Sequence, residues 1–227
     1  MSTDPRIPPR PVAEWDAEVR DALSVLAMPD NAAARAAEAK AAAVRAAATE
    51  AALSAQSGQP GERPQRRPLS NMVATFTWHP ALTKAFLTFN THLFRSTLSD
   101  RVREMVTVRV GWLRRSEYEW AQHAAMARAA GMSPEEIDAI GEGPGWKGWS
   151  PLDAALLRSV DEIVADRYIS DETWAVLAAH FDRKQLMDLV FTIGAYDLLA
   201  MAFDTFGLEL DPGMSGFPSQ SGHDGST

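Results

Sequence analysis

Helix start signals recur along this chain from residue 80 onward, and they restrict its fold more than any other feature. A proline or a capping Ser or Asp precedes each segment with helical apolar spacing. The strongest signal is Ser133-Pro134-Glu135-Glu136, which combines a capping box with proline at the first helical position. The other signals are Pro80, Ser99, Ser150-Pro151, Ser170, and Asp182 with Gln185. Because no long alternation of apolar and polar residues interrupts them, the sequence predicts an all-α domain.

These signals predict a series of helices with defined ends. The predicted segments are 80–94, 100–113, a helix that bears His123 and ends at Gly131, 134–140, 151–167, 171–180, and 182–207. A glycine-rich loop from Gly141 to Trp149 separates the fourth from the fifth. The last segment leaves little polar surface, which predicts a core or interface helix.

The sequence divides into three parts. Residues 1–68 form an N-terminal arm, with an amphipathic helix from Val12 to Ala27, an alanine-rich helix from Ala32 to Ala55 and a Pro/Gly-rich linker from Ser57 to Pro68. We interpret the alanine-rich helix as a solvent-exposed spacer, with an oligomerisation arm as the alternative. Residues 69–210 form the main helical domain, and the Pro-, Gly- and Ser-rich residues 211–227 are predicted to be a disordered tail.

Composition excludes several classes of function. The chain has no cysteine, so disulfides, thiolate metal sites and thiol nucleophiles are all excluded. Its net charge of -8 comes without a basic stripe, which argues against nucleic acid or anionic membrane as a partner. No long apolar run or apolar leader segment is present, and we therefore expect a cytoplasmic protein.

Ser116, Glu119 and His123 are the candidate chemical groups. If their segment is helical, their spacing of three and four residues places a hydroxyl, a carboxylate and an imidazole on one stripe. A preceding helix could add the Glu104 carboxylate, and such a cluster can move protons. An exposed Glu and His one turn apart would be ordinary surface decoration. Here the flanking residues are apolar, which predicts a buried helix and favours a functional pair with shifted pKa values.

The segment from Leu98 to Gly131 resembles the carboxymuconolactone decarboxylase family, whose fold is shared with the alkyl hydroperoxidase D proteins. The resemblance rests on Arg103-Glu104, the apolar segment Met105 to Val110, Glu117-Tyr118-Glu119-Trp120 and His123. It extends over about Leu69 to Gly213, where Trp149-Ser150-Pro151-Leu152 and Gly194-Ala195-Tyr196 are similar to a longer subgroup. It implies an alkyl hydroperoxidase D-like helical bundle.

The hydroperoxidase branch of this family uses two cysteines, which this chain lacks. By spacing, its glutamate corresponds to Glu104, its cysteines to Ser116 and Glu119, and its histidine to His123. Neither serine nor glutamate can form the disulfide that a peroxidatic cycle needs. The sequence therefore predicts that this protein is not a thiol peroxidase, and that Ser116 is a spectator.

The decarboxylase branch implies a cofactor-free lyase acting on a small oxygenated or aromatic-derived acid or lactone. The resemblance assigns acid/base work to His123, with Glu119 and Glu104 orienting it and relaying protons. Arg103 or Arg109 is either a substrate-carboxylate clamp or a structural partner of the glutamates. The candidate substrate contacts that remain are Tyr118, Trp120 and Tyr196, and Trp112, Trp146 and Trp149 are further candidates for an apolar pocket wall. The resemblance also implies a homo-oligomer: a dimer, trimer or hexamer.

Two alternatives stay open at this point. A metal-dependent enzyme would use Glu119 and His123 from one helix face, with Glu104 or His180 added, although no HExxH pair is present. A non-catalytic helical homo-oligomer would use the apolar last helix and the N-terminal arm for assembly.

Overall fold

A computed structural model describes residues 5–27 and 70–217 of the chain. Within them the structure has nine α-helices, two short 3-10 helices and no β-strand, which confirms the predicted all-α class. The α-helices are α1 (Ala17–Leu23), α2 (Asn71–Phe76), α3 (Pro80–Phe94), α4 (Asp100–Arg114), α5 (Glu117–Ala129), α6 (Pro134–Glu142), α7 (Pro151–Asp166), α8 (Asp171–His180) and α9 (Arg183–Phe206).

The predicted start signals act as helix caps. The hydroxyls of Ser99, Ser133, Ser150 and Ser170 each accept a hydrogen bond from a backbone N–H in the first turn. Asp182 does the same for α9 and completes a capping box with Gln185. Gly207 ends α9 with φ of 70°, a left-handed conformation that glycine adopts without steric cost.

Helix α4 is the centre of the fold. Nine consecutive residues of it, from Arg103 to Gly111, are buried, and α5, α6, α7 and α9 pack around it. A helix buried on every side usually carries only apolar residues. Because α4 also carries Arg103, Glu104 and Arg109, each of these charges needs a partner inside the protein.

The predicted helix from Val12 to Ala27 is divided into three pieces. A 3-10 turn over Val12–Glu14 precedes α1, and a second over Ser24–Ala27 follows it. The break arises because Asp16 adopts an extended conformation and its carboxylate accepts from the Val19 N–H, which starts a new helix. The predicted alanine-rich helix and the linker lie outside the described residues.

The two ends of the described chain pack on the main domain. The backbone N–H groups of Arg6 and Ile7 donate to the Phe206 carbonyl at the end of α9. At the other end, residues 211–217 were predicted to be disordered, whereas Asp211 accepts hydrogen bonds from the Asn71 N–H and the Tyr118 hydroxyl. The Phe217 ring packs against Trp112 and Trp120. Asp211 and Phe217 therefore attach this segment to the main domain, which the composition of the tail did not indicate.

Candidate active site

Two helices bring the candidate groups together. Glu104 lies on α4, while Glu119 and His123 lie one turn apart on α5, and all three side chains are buried. Gly111 permits the close contact between these helices. A Cβ atom at this position would lie 3.1 Å from the Trp120 backbone nitrogen and 3.2 Å from the Glu119 Cβ. The glycine thus helps to set the distance at which Glu119 faces α4.

The imidazole of His123 lies between two buried carboxylates. Its Nδ1 is 2.7 Å from Glu104 Oε2, and its Nε2 is 3.4 Å from Glu119 Oε2. The first is a short hydrogen bond, whereas the second is an ion-pair contact longer than a hydrogen bond. A histidine flanked in this way is held in one ring orientation and can exchange a proton with either neighbour.

Arg103 extends this chain of charges toward the surface. Its Nε group donates to Glu104 Oε1 at 3.0 Å, and its NH2 group lies 3.0 Å from the same oxygen. Its NH1 group lies 3.0 Å from Asp100, whose side chain is 70% exposed. The guanidinium also lies 5.0 Å from the centre of the Phe94 ring. The Arg103 side chain is only 2% exposed, and its contacts fix the position of the Glu104 carboxylate. The fixed carboxylate in turn positions the His123 imidazole.

Helix α9 covers the imidazole with Tyr196. The two ring centroids are 4.6 Å apart and the rings meet edge to face at 76°. Burial, together with the charges of Glu104 and Glu119, raises the pKa of Tyr196 well above its ordinary value. Tyr196 is therefore a neutral phenol next to the imidazole, and it is the predicted substrate-contact residue that the structure places in this cluster.

The environment shifts the proton affinities of both α5 groups upward. Burial raises the pKa of Glu119 to about 7, and the negative charges of Glu104 and Asp204 add to the effect against the opposing charge of His123. Burial acts to lower the pKa of His123, but attraction to Glu104, the hydrogen bond between them and attraction to Glu119 outweigh it and raise that pKa. The site thus favours an imidazolium paired with Glu104, beside a carboxyl whose pKa of about 7 lets it gain or lose a proton near neutral pH.

Two polar atoms at the start of α5 have no hydrogen-bond partner in the described part of the protein. They are Glu119 Oε1 and the Ser116 hydroxyl, and both are buried. Burial raises the pKa of the nearby Asp204 carboxyl, and the Ser116 hydroxyl opposes this rise. The two groups nevertheless do not meet the geometry of a hydrogen bond. Buried polar atoms without partners are costly and are common at functional sites. Glu119 Oε1 is therefore a polar atom of the cluster that lacks a partner in the described residues.

The raised pKa of Glu119 predicts a pH dependence of stability. The folded protein holds the Glu119 proton up to about pH 7, whereas the unfolded chain releases it near the ordinary glutamate pKa of 4.5. The free energy of unfolding should therefore fall by on the order of 2 kcal/mol between pH 5 and 7, and the raised pKa of His123 acts in the same direction at higher pH. Urea unfolding of wild type and Glu119→Gln at several pH values measures this, with the exposed Glu209→Gln as control. A Glu119→Gln variant that keeps the full decline would contradict the assignment.

Four predicted substrate-binding residues are engaged elsewhere. The Arg103 guanidinium is taken up by Glu104 and Asp100, which is the structural alternative given above. Arg109 donates to both oxygens of Asp161 on α7 and to the Ile140 and Gly141 carbonyls. Tyr118 donates to Asp211 and packs on Phe203.

Trp120 is held between Trp112 and Phe217. Each of these four side chains thus has a structural partner within the protein, and its substrate-binding role stays a prediction. Buried arginines and tyrosines found partners in distant segments, which the local sequence does not reveal.

Asp100 and Phe94 were not among the predicted site residues. Asp100 is three residues before Arg103 in the first turn of α4, and this spacing alone signals a same-face ion pair. Phe94 ends the preceding helix and carried no such signal.

The metal-site alternative has little support from this geometry. Both ring nitrogens of His123 face carboxylates, so neither has a lone pair directed at an open position. His180, proposed as an additional ligand, donates from Nδ1 to the Val176 carbonyl at the exposed end of α8. In the described ranges, no group of three or more His, Asp or Glu residues is arranged to hold a metal ion.

Residues 80–158 match the carboxymuconolactone decarboxylase family. No curated protein matches the sequence significantly. Among solved structures, the chain resembles a protein of unknown function from Agrobacterium tumefaciens, described as a putative antioxidant defence protein AhpD, with 20% identity and a TM-score of 0.56. That match covers 60% of this chain and 94% of the other.

Two further structures are of the debrominase Bmp8. The apo form matches with 10% identity and a TM-score of 0.62, covering 93% of this chain and 95% of the other. A cysteine-to-alanine variant of Bmp8 in complex with 2,3,4-tribromopyrrole matches with 12% identity and a TM-score of 0.58, over 64% of this chain and 79% of the other. At these identities the likenesses show the fold alone, and they agree with the predicted alkyl hydroperoxidase D-like bundle.

Proposed function

We propose, for a chain that belongs to the carboxymuconolactone decarboxylase family, a cofactor-free lyase that removes carbon dioxide from a small oxygenated or aromatic-derived acid or lactone. The observation that carries the proposal is the His123 imidazole held between the buried carboxylates of Glu104 and Glu119. One buried oxygen of Glu119 has no hydrogen-bond partner among the described residues, and we assign it to substrate binding. Arranged in this way, the three groups can deliver and accept protons without a metal or an organic cofactor.

The proposed reaction breaks one carbon–carbon bond and forms one carbon–hydrogen bond. As carbon dioxide leaves, the bonding electron pair moves into the conjugated carbonyl system of the substrate and gives an enolate. The imidazolium of His123 then donates its proton to carbon, and solvent replaces that proton. Glu104 keeps the imidazole charged and oriented, since its carboxylate accepts from Nδ1 at 2.7 Å.

Glu119 has a separate part in the proposed mechanism. Because the pKa of Glu119 is raised to about 7 by burial, its carboxyl can donate a hydrogen bond to a substrate oxygen at neutral pH. Such a hydrogen bond stabilises negative charge as it develops on the enolate. The Tyr196 phenol, next to the imidazole, is a second neutral donor that we assign to substrate contact.

The absence of cysteine separates this proposal from thiol chemistry. The sequence contains no cysteine, whereas a peroxidatic cycle needs a thiolate and a resolving thiol. We also propose, as the family implies, that the protein works on a small molecule in the cytoplasm and as a homo-oligomer.

A substrate panel tests the proposed reaction. The purified protein would be incubated with lactone acids and aromatic-derived acids in deuterated water, with carbon dioxide release and deuterium at the product carbon as readouts. We expect at least one compound to lose carbon dioxide and gain one deuteron, with unchanged rates after treatment with a chelator. Release that disappears on chelation and returns with added metal would favour the metal-dependent alternative. No release from any compound, with a folded protein, would count against the lyase.

A further inference from the structure

Helix α9 exposes an apolar face on the side opposite Tyr196. Although 56% of its most apolar stretch is buried, large side chains along its outer side are exposed. Met187, Leu198 and Met201 are exposed by 62%, 58% and 58%, and Phe191 by 56%. The Phe89 ring of α3 packs against Phe191 and widens the face. A contiguous apolar surface of this kind marks an interaction site.

The spacing of this face is that of a helix pair. Its positions are 187, 191, 194, 198, 201 and 205, which alternate steps of four and three residues. This 3.5-residue repeat keeps one seam facing a single partner helix along its length. From Met187 to Met201 the seam is about 21 Å long, at 1.5 Å per residue.

Gly194 is at the middle of the seam. A Cβ atom there would meet nothing within 4 Å, so the position opens to the outside. Glycine at the centre of a helix crossing lets two backbones approach closely. If a second α9 crosses antiparallel at this point, Met187 faces Met201 of the other copy, and the same contact is repeated by symmetry.

The charges at the two ends of the seam fit the same arrangement. Arg183 is exposed at the start of α9 and Asp204 is exposed near its end. In an antiparallel pair centred on Gly194, each Arg183 lies beside Asp204 of the second copy. Each end also brings a helix N-terminus next to a helix C-terminus, so the helix dipoles attract.

We infer that this face, defined by Met187, Phe191, Gly194, Leu198 and Met201, binds a second copy of this chain through an antiparallel α9–α9 contact. The net charge of -8 and the acidic Asp204 beside the seam disfavour an anionic bilayer as the occupant. The inference does not rest on the proposed lyase activity. It assigns a specific surface and register to the assembly.

The absence of native cysteine makes disulfide trapping a clean test. Gly194→Cys places one thiol on the proposed two-fold axis, and mild oxidation of the full chain should give a covalent dimer. Met187→Cys/Met201→Cys should crosslink as well, whereas Met201→Cys alone should not, because its two copies are about 21 Å apart along the seam. Tyr168→Cys, exposed by 61% on another surface, is the control for random collision.

Light scattering of the Leu198→Glu variant provides the second readout. We expect a folded protein, by circular dichroism, with half the solution mass of wild type. An unchanged mass would overturn the inference, as would failure of Gly194→Cys to crosslink faster than Tyr168→Cys. A monomeric wild type, together with a Gly194→Cys variant whose thiol resists labelling, would overturn it by showing that another part of the same chain covers the face. A monomer that floats with neutral lipid vesicles would overturn it by assigning the face to a membrane.

Discussion

Replacing His123 with Gln is expected to lower turnover at least ~100-fold while the protein stays folded. The imidazole lies 2.7 Å from the Glu104 carboxylate and 3.4 Å from the Glu119 carboxylate. Glutamine can keep a hydrogen bond to Glu104, but it cannot donate a proton to carbon. The measurement is the initial rate of carbon dioxide release for wild type and variant, on whichever panel compound the wild type decarboxylates.

His180→Gln is the matched control for this substitution. His180 is exposed at the end of α8 and contacts the Val176 carbonyl, so its replacement should leave the rate within about twofold. Circular dichroism and thermal unfolding would show that both variants are folded. Full activity of a folded His123→Gln protein would remove His123 from the mechanism, and with it the central role of the cluster.

The helical frame could be predicted from sequence because its signals are local. A Ser or Asp cap acts within three residues, as Ser133 does by accepting from the Glu136 N–H. The start of each helix can therefore be predicted from a short stretch of sequence. The spacing of Glu119 and His123 is local in the same sense, since one turn of helix places both on one face. Burial of the pair also followed from its apolar neighbours.

The contacts that the sequence did not reveal join residues that are distant along the chain. Tyr118 donates to Asp211, 93 residues away, and Arg109 pairs with Asp161, 52 residues away. No pattern around either residue identifies its partner, and each side chain would have been an equally good ligand for a substrate. The packed segment at 211–217 failed as a prediction for the same reason, because composition describes what a segment prefers alone and not what it can pack against.

Arg103 contributes both to the stability of the fold and to the geometry of the site, and the sequence alone does not separate these two effects. On α4 it is a buried cation that must be neutralised, and Glu104 supplies the charge within one residue. The same pairing occupies Glu104 Oε1 and leaves Oε2 for His123. Stability and chemistry thus share one carboxylate, and we expect substitutions of Glu104 to affect both.

Glu104→Ala is expected to reduce the free energy of unfolding by about 3 to 5 kcal/mol, because it leaves a buried charge without its partner. His123 can respond by losing its proton, but Arg103 cannot, since a guanidinium stays charged in proteins. Arg103 would keep only Asp100 and the Phe94 ring. Urea unfolding at pH 7 measures the loss. Asp21→Ala, in an exposed pair with Lys84, is the control and should cost less than about 1 kcal/mol.

A double variant shows whether Glu104→Ala destabilises the protein because Arg103 is left as a buried charge without a partner. Arg103→Met/Glu104→Gln removes both charges while keeping most of the side-chain volume, and we expect it to be more stable than Glu104→Ala. Its turnover should nevertheless stay low, because His123 no longer has the carboxylate that orients it and raises its pKa. If the double variant is as unstable as Glu104→Ala, packing and not charge dominates at this site. If it is stable and fully active, Glu104 has no part in the chemistry, and the Glu119–His123 pair alone would have to account for it.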